Sequence, residues 1–137
     1  MVREFGGRGP AQILTALVVA LAPVNLVLHG YYSMNAVDVL VWLIAFVAIA
    51  QALRTGSQFR WAVLGVVLGI GLLNKISVLW LGAGLLAGLL LTPHRRTLRT
   101  AGPFIAGALA ALLFLPHVLW QVEHGWPTAE FIRVATT

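Results

Sequence analysis

The sequence contains no cysteine, so neither a disulfide framework nor a thiolate metal site can belong to it. Charge is nearly as scarce. Only 9% of the 137 residues are charged, where a soluble domain carries about 25%. With four acidic residues and 60% hydrophobic ones, the chain lacks the polar side chains needed to cover a water-facing globule. These shortages exclude a cytosolic globular enzyme, a disordered tail and a disulfide-stapled secreted domain. The net charge is +5, but the basic residues are scattered and not massed with aromatics, which argues against a nucleic-acid partner. What is abundant is apolar length, at a mean hydropathy of +0.93. The bilayer is the expected solvent.

Short polar gaps divide the chain into five apolar runs, at residues 11–29, 37–53, 61–73, 76–92 and 103–121. A spanning helix needs about 20 residues, so the first and last runs suffice, the second and fourth are borderline and the third is short. A cleaved signal peptide is a weaker account of the first run. Arg3 and Arg8 precede it and Ala20-Leu21-Ala22 resembles a cleavage box, but Pro23 follows the cut and the rest is equally membrane-like. Arg3, Arg8, Arg54, Arg60, Arg95, Arg96 and Arg99 fall in alternate loops, which the positive-inside rule places in the cytoplasm. The expectation is one all-α membrane domain of about five spans, with its N-terminus inside and C-terminus outside. A single helix over residues 61–92 would be far too long for the core, so a tight turn at Asn74-Lys75 is preferred. Gly65-x-x-x-Gly69 and Gly84-x-x-x-Gly88 are candidate helix-packing motifs, although Gly is common in membrane helices generally.

Polar residues gather on the outer side of this topology. Asn25 and His29 share a helix face beyond Pro23, which is expected to kink the first span. Tyr31, Tyr32, Ser33, Asn35 and Asp38 follow. His117, Gln121 and His124 lie at i, i+4 and i+7 on the last span, with Glu123 and Trp126 nearby. Each has a plainer reading. Asn35 and Asp38 suit the N-cap and third-residue acid of the second span. Tyr31, Tyr32, Trp80, Trp120 and Trp126 suit an interfacial aromatic belt. The two histidines and Gln121 have metal-ligand spacing but no third strong ligand, and interhelical hydrogen bonding is the simpler role. Lys75 either snorkels to the headgroups or, as an ammonium at membrane depth, meets the phosphate of a lipid-linked substrate beside Asn74.

Several segments occur in an order that resembles one family. They are Arg3-Glu4-Phe5-Gly6-Gly7, Ser33-Met34-Asn35-Ala36-Val37-Asp38, Gly69-Ile70-Gly71-Leu72-Leu73-Asn74-Lys75, Pro116-His117-Val118-Leu119-Trp120-Gln121 and His124-Gly125-Trp126-Pro127-Thr128. Together they resemble the polytopic glycosyltransferases of the dolichyl-phosphate-mannose–protein mannosyltransferase type, including bacterial aminoarabinose-transferase-like members. The resemblance implies a GT-C fold in the cytoplasmic membrane and transfer of a sugar from a polyprenyl-phosphate donor to a lipid, protein or glycan on the non-cytoplasmic face. It implies no cofactor. It also implies that this chain starts at the end of the family's second span, after the outer loop that carries the catalytic acid. No residue here matches that acid, and neither Asp38 nor Glu123 replaces it.

The implied contribution of this segment is Lys75 and Asn74 as lipid-phosphate ligands. His29, Asn35, Asp38, His117, Gln121 and His124 are candidate cavity-lining residues. The alternative is a small non-enzymatic multispan protein, such as a transporter subunit or assembly partner. The absence of a carboxylate from any span core makes proton coupling less attractive.

Overall fold

A computed structural model describes residues 6–30 and 33–135, with the backbone alone at Leu28, His29 and Ala135. Arg3, Glu4, Phe5, Tyr31 and Tyr32 therefore lie outside the described residues. The chain forms α1 (Gly9–Leu21), α2 (Pro23–Gly30), α3 (Met34–Thr55), α4 (Gln58–Asn74) and α5 (Val78–Leu91). A 3-10 segment (Pro93–Arg99), α6 (Ala101–Glu123) and α7 (Pro127–Ala135) complete it. No strand occurs among the described residues, and the fold is an all-α membrane helix bundle.

Local chemistry explains most of the boundaries. Pro23 lacks a backbone donor and disfavours helical geometry in Ala22, whose backbone is extended, so the first run breaks into α1 and α2 instead of merely kinking. Gly56 takes the left-handed conformation (φ 65°) and its N–H donates to the Ala52 carbonyl at 2.9 Å, which closes α3. Thr92 precedes Pro93 and is likewise extended, so α5 stops there and the 3-10 segment leaves it at 110°.

The helix lengths differ from the five apolar runs. Among the described residues, only α3 and α6 are by themselves long and apolar enough to cross a bilayer, and α5 with the bent 3-10 segment makes a third candidate. α4 has 17 residues because helix geometry extends back through Gln58, Phe59 and Arg60, so the short arm of the turn is α5, with 14. The chain does break at Lys75, and no single helix covers residues 61–92.

α4 is the centre of the bundle, packed between α3 and α6. Four contacts set the direction of α3: Arg60 donates to the Gln51 side chain, Val41 meets Gly71, and Met34 and Asn35 meet Asn74 and Lys75. These pairs run oppositely, so α3 and α4 are antiparallel. The close approaches Trp61–Gly102, Gly65–Ala106 and Gly69–Ala110 advance together, so α4 and α6 are parallel. Small residues permit this proximity. A Cβ at Gly65 would lie 2.5 Å from the Ala106 carbonyl oxygen, and Gly102 leaves the space that the Trp61 ring fills. Ala45, Ala48, Ile49 and Ala52 of α3 join Trp61, Leu64, Leu81, Leu89 and Ala106 in the core. Outside that core, Ile13, Leu14, Leu40, Ile44, Ile70 and Leu112 are all exposed, as lipid-facing side chains would be.

Gly84 and Gly88 behave differently. A side chain at either position would meet no atom within 4 Å, so this second motif makes no close approach among the described residues. α5 stands off from α4 and α6, and an apolar cleft of about 720 Å³ separates them.

Candidate functional site

The antiparallel α3–α4 pair sets the start of α3 beside the turn after α4. Asn74 ends α4, and its side-chain amide donates to the Met34 carbonyl at 2.9 Å. The Lys75 ammonium donates to Asn35 Oδ1 at 2.8 Å and forms an ion pair with Asp38 Oδ2 at 3.8 Å. The Ser77 hydroxyl donates to the same carboxylate, 3.2 Å from Oδ1 and 3.1 Å from Oδ2. Met34, Asn35 and Asp38 on α3 are thus tied to Asn74, Lys75 and Ser77 across the turn.

This geometry corrects the capping assignment for Asn35 and Asp38. α3 begins at Met34, after an N-cap Ser33 that makes no side-chain cap bond, and its first turn holds no acid. Asn35 is therefore already inside the helix. Its carbonyl oxygen is committed to Lys75, and the Asp38 carboxylate to Lys75 and Ser77. The tertiary partner has displaced the local one.

Lys75 is neither buried nor loose. Its side chain is 34% exposed and that of Asp38 15%. An ion pair this accessible contributes at most about 1 kcal/mol to stability, so its consequence is chiefly positional: the ammonium is held in one place with its donors fanned toward oxygen atoms. Leu72, Val78 and Leu79, which flank the turn in sequence, line one end of the apolar cleft. Leu89, Leu98 and Pro103 line it further from the turn along the chain. The cationic turn is thus linked to a hydrocarbon-like cleft through its sequence neighbours, although Asn35, Asp38, Asn74, Lys75 and Ser77 themselves do not line it.

The α6 residues do not join this cluster. Extending the α4–α6 register puts the end of α4 level with the Pro116 region, and α6 runs on for about two turns. Gln121 is buried and bonds to its own neighbourhood. Its amide donates to His117 Nε2 at 3.3 Å and to the Thr128 hydroxyl, and its oxygen accepts the Thr128 N–H at 3.4 Å. His124 Nδ1–H donates to the Trp120 carbonyl at 2.9 Å, and its ring stacks on Trp120 with centroids 4.6 Å apart. None of the three lines the apolar cleft. His29 lies in α2, but its side chain lies outside the description. Among the described residues, no three His, Asp or Glu side chains are grouped to hold a metal ion.

Sequence reasoning missed Ser77 and Thr128. Counting equal distances outward from the Gly56 turn pairs residues 35–38 with residues 74–77, which would have indicated Ser77. Thr128 carries no such signal, because its role depends on a reversal at Gly125 and Trp126.

The chain has no significant match among curated proteins or solved structures. A family model described as dolichyl-phosphate-mannose-protein mannosyltransferase does match, over residues 1–120. That span takes in the apolar helices, the α3–α4 pair and the polar turn, and so the chain belongs to the dolichyl-phosphate-mannose-protein mannosyltransferase family of GT-C membrane glycosyltransferases.

Proposed function

We propose that the turn after α4 binds the phosphate of a polyprenyl-phosphate-linked sugar donor, with Lys75 as the principal cation and Asn74 beside it. One observation carries this reading. The Lys75 ammonium is fixed in a polar cluster whose sequence neighbours Leu72, Val78 and Leu79 line an apolar cleft, and the pair of features matches the two chemistries of a lipid phosphate. An ammonium supplies a point charge with three donors. In sugar transfer the lipid phosphate leaves carrying negative charge, and a fixed cation stabilises that charge without reorganising. Asp38 acts as the resting counter-ion, and Asn35 and Ser77 keep the pair in register. The isoprenoid tail lies in the cleft. The carboxylate that activates the acceptor comes from outside this set of residues.

The same proposal places the Lys75 turn on the non-cytoplasmic side and the Arg54–Arg60 and Arg95–Arg99 loops in the cytoplasm, with five passages of the membrane. Single cysteines for labelling are introduced at Gln58→Cys and Glu123→Cys, beside the loop residues Gly56 and Gly125, whose positive φ makes them poor positions for a side chain. Those cysteines should react with an impermeant maleimide from opposite sides. Reaction from one side only defeats the topology.

The direct test is equilibrium binding of a short-chain polyprenyl phosphate, with the matching polyprenol as control. Wild type should prefer the phosphate, and Lys75→Ala should lose most of that preference while Lys75→Arg keeps part of it. An unchanged preference in Lys75→Ala removes the phosphate role. A second reading has its own support, since both polar partners of Lys75 are intramolecular. In that reading the cluster only staples the α4–α5 turn to α3, and Lys75→Ala lowers stability without altering phosphate preference.

A further inference from the structure

We propose that α7 lies flat in the lipid–water interface at the end of α6, with Phe131 and Ile132 inserted at the headgroup–acyl boundary. The proposal does not depend on the donor site, and α7 lies beyond the residues matched by the family model.

The rotation of α7 is fixed by a buried side chain. α6 is long and apolar enough to span a bilayer, and it ends at Glu123. The backbone then reverses through two consecutive left-handed residues, Gly125 (φ 70°) and Trp126 (φ 62°). A tryptophan pays for that conformation with steric strain. The strain is offset locally, because the Trp126 N–H donates to the Gln121 carbonyl at 2.8 Å. The Gln121 side chain, only 4% exposed, then grips Thr128 through both its hydroxyl and its N–H. Thr128 therefore faces back along α6, toward the hydrocarbon side.

Residues three and four positions later share that face. They are Phe131 and Ile132, exposed by 74% and 57%. Glu130 and Arg133 fall on the opposite side of the helix wheel, facing away from the span. An amphipathic helix whose apolar face looks toward the bilayer and whose polar face looks toward water suits an interfacial position. Trp126, half exposed at the junction, adds an aromatic anchor at the same depth. Continuity with the α6 span favours lipid over a protein partner as the occupant. Glu130 and Arg133 offset each other in charge, so zwitterionic lipid is sufficient.

The absence of cysteine makes the test direct. Single-cysteine variants Glu130→Cys, Phe131→Cys, Ile132→Cys and Arg133→Cys are reconstituted in phosphatidylcholine nanodiscs and labelled with bimane. Quenching is then compared between a nitroxide-bearing lipid and aqueous iodide. Positions 131 and 132 should be quenched several-fold more by the lipid probe, and positions 130 and 133 more by iodide. Equal iodide quenching at all four positions overturns the proposal, because the helix then stands in water. Shielding of 131 and 132 from both quenchers also overturns it, because protein then covers that face. Gln121→Leu, read on the same labels, should abolish the alternation while leaving the helix content of the chain unchanged. Persistence of the alternation in Gln121→Leu would show that the Gln121–Thr128 contact does not set the orientation.

Discussion

The two glycine motifs make the sharpest comparison in the molecule. Gly65-x-x-x-Gly69 on α4 and Gly84-x-x-x-Gly88 on α5 have the same spacing and similar apolar neighbours. The first brings two helix backbones together, and the second faces open space. The difference lies in which way each motif faces. α6 offers Gly102, Ala106 and Ala110 at one-turn spacing, so the small residues of both helices coincide. α5 instead turns Val78, Leu81 and Leu89 inward, while Gly84 and Gly88 are exposed and line no part of the cleft. A small-residue motif specifies contact only where the fold turns it toward a second helix.

Substitutions can break that comparison in a graded way. The largest effect is expected for Gly65→Val. The obstructing atoms are backbone atoms of Ala106, which cannot swing aside, so the α4–α6 pair must separate at a cost of about 1–3 kcal/mol or more. Gly69→Ala should cost less, at the lower end of about 1–3 kcal/mol, because it adds a single methyl that meets Leu113 Cβ and Cδ1 at 2.8 Å. Cδ1 can turn aside, but Cβ moves only with the backbone, so a small shift of α6 is still needed. Unfolding in a graded detergent mixture measures both, and equal losses would refute the ranking. The smallest effect belongs to Gly84→Ala and Gly88→Ala. With no neighbour to meet, each should be neutral or stabilising by up to about 1 kcal/mol through helix propensity. A marked loss of stability at either position would sharpen the comparison differently, by revealing that this face of α5 is covered in the membrane.

The sequence made different parts of the molecule legible to different degrees. The break at Pro23 follows from a rule acting within a few residues, and the end of α4 at Asn74 from the length of the apolar stretch against the bilayer core; reading either needs no partner. The lengths of α4 and α5 were misjudged because apolar runs mark where lipid is tolerated, whereas helices continue through residues such as Gln58 and Arg60. At the candidate site, Lys75 and Asn74 stand out as polar groups in an apolar chain. Their connection to Asn35, Asp38 and Met34 does not, because it spans about forty residues. The grouping of His117, Gln121 and His124 was visible as a helix face, but its direction was not. Gln121 turns to Thr128, and His124 to its own helix.

Composition and hydropathy by themselves determined the solvent of this protein and its helical class, because a chain this poor in charge must satisfy its backbone internally. The order of the short motifs determined the family. Which glycines touch, where α5 parts from the bundle and which oxygens hold the Lys75 ammonium were decided only by tertiary structure. Those outcomes depend on the relative positions of surfaces distant in sequence, and local rules carry no information about that.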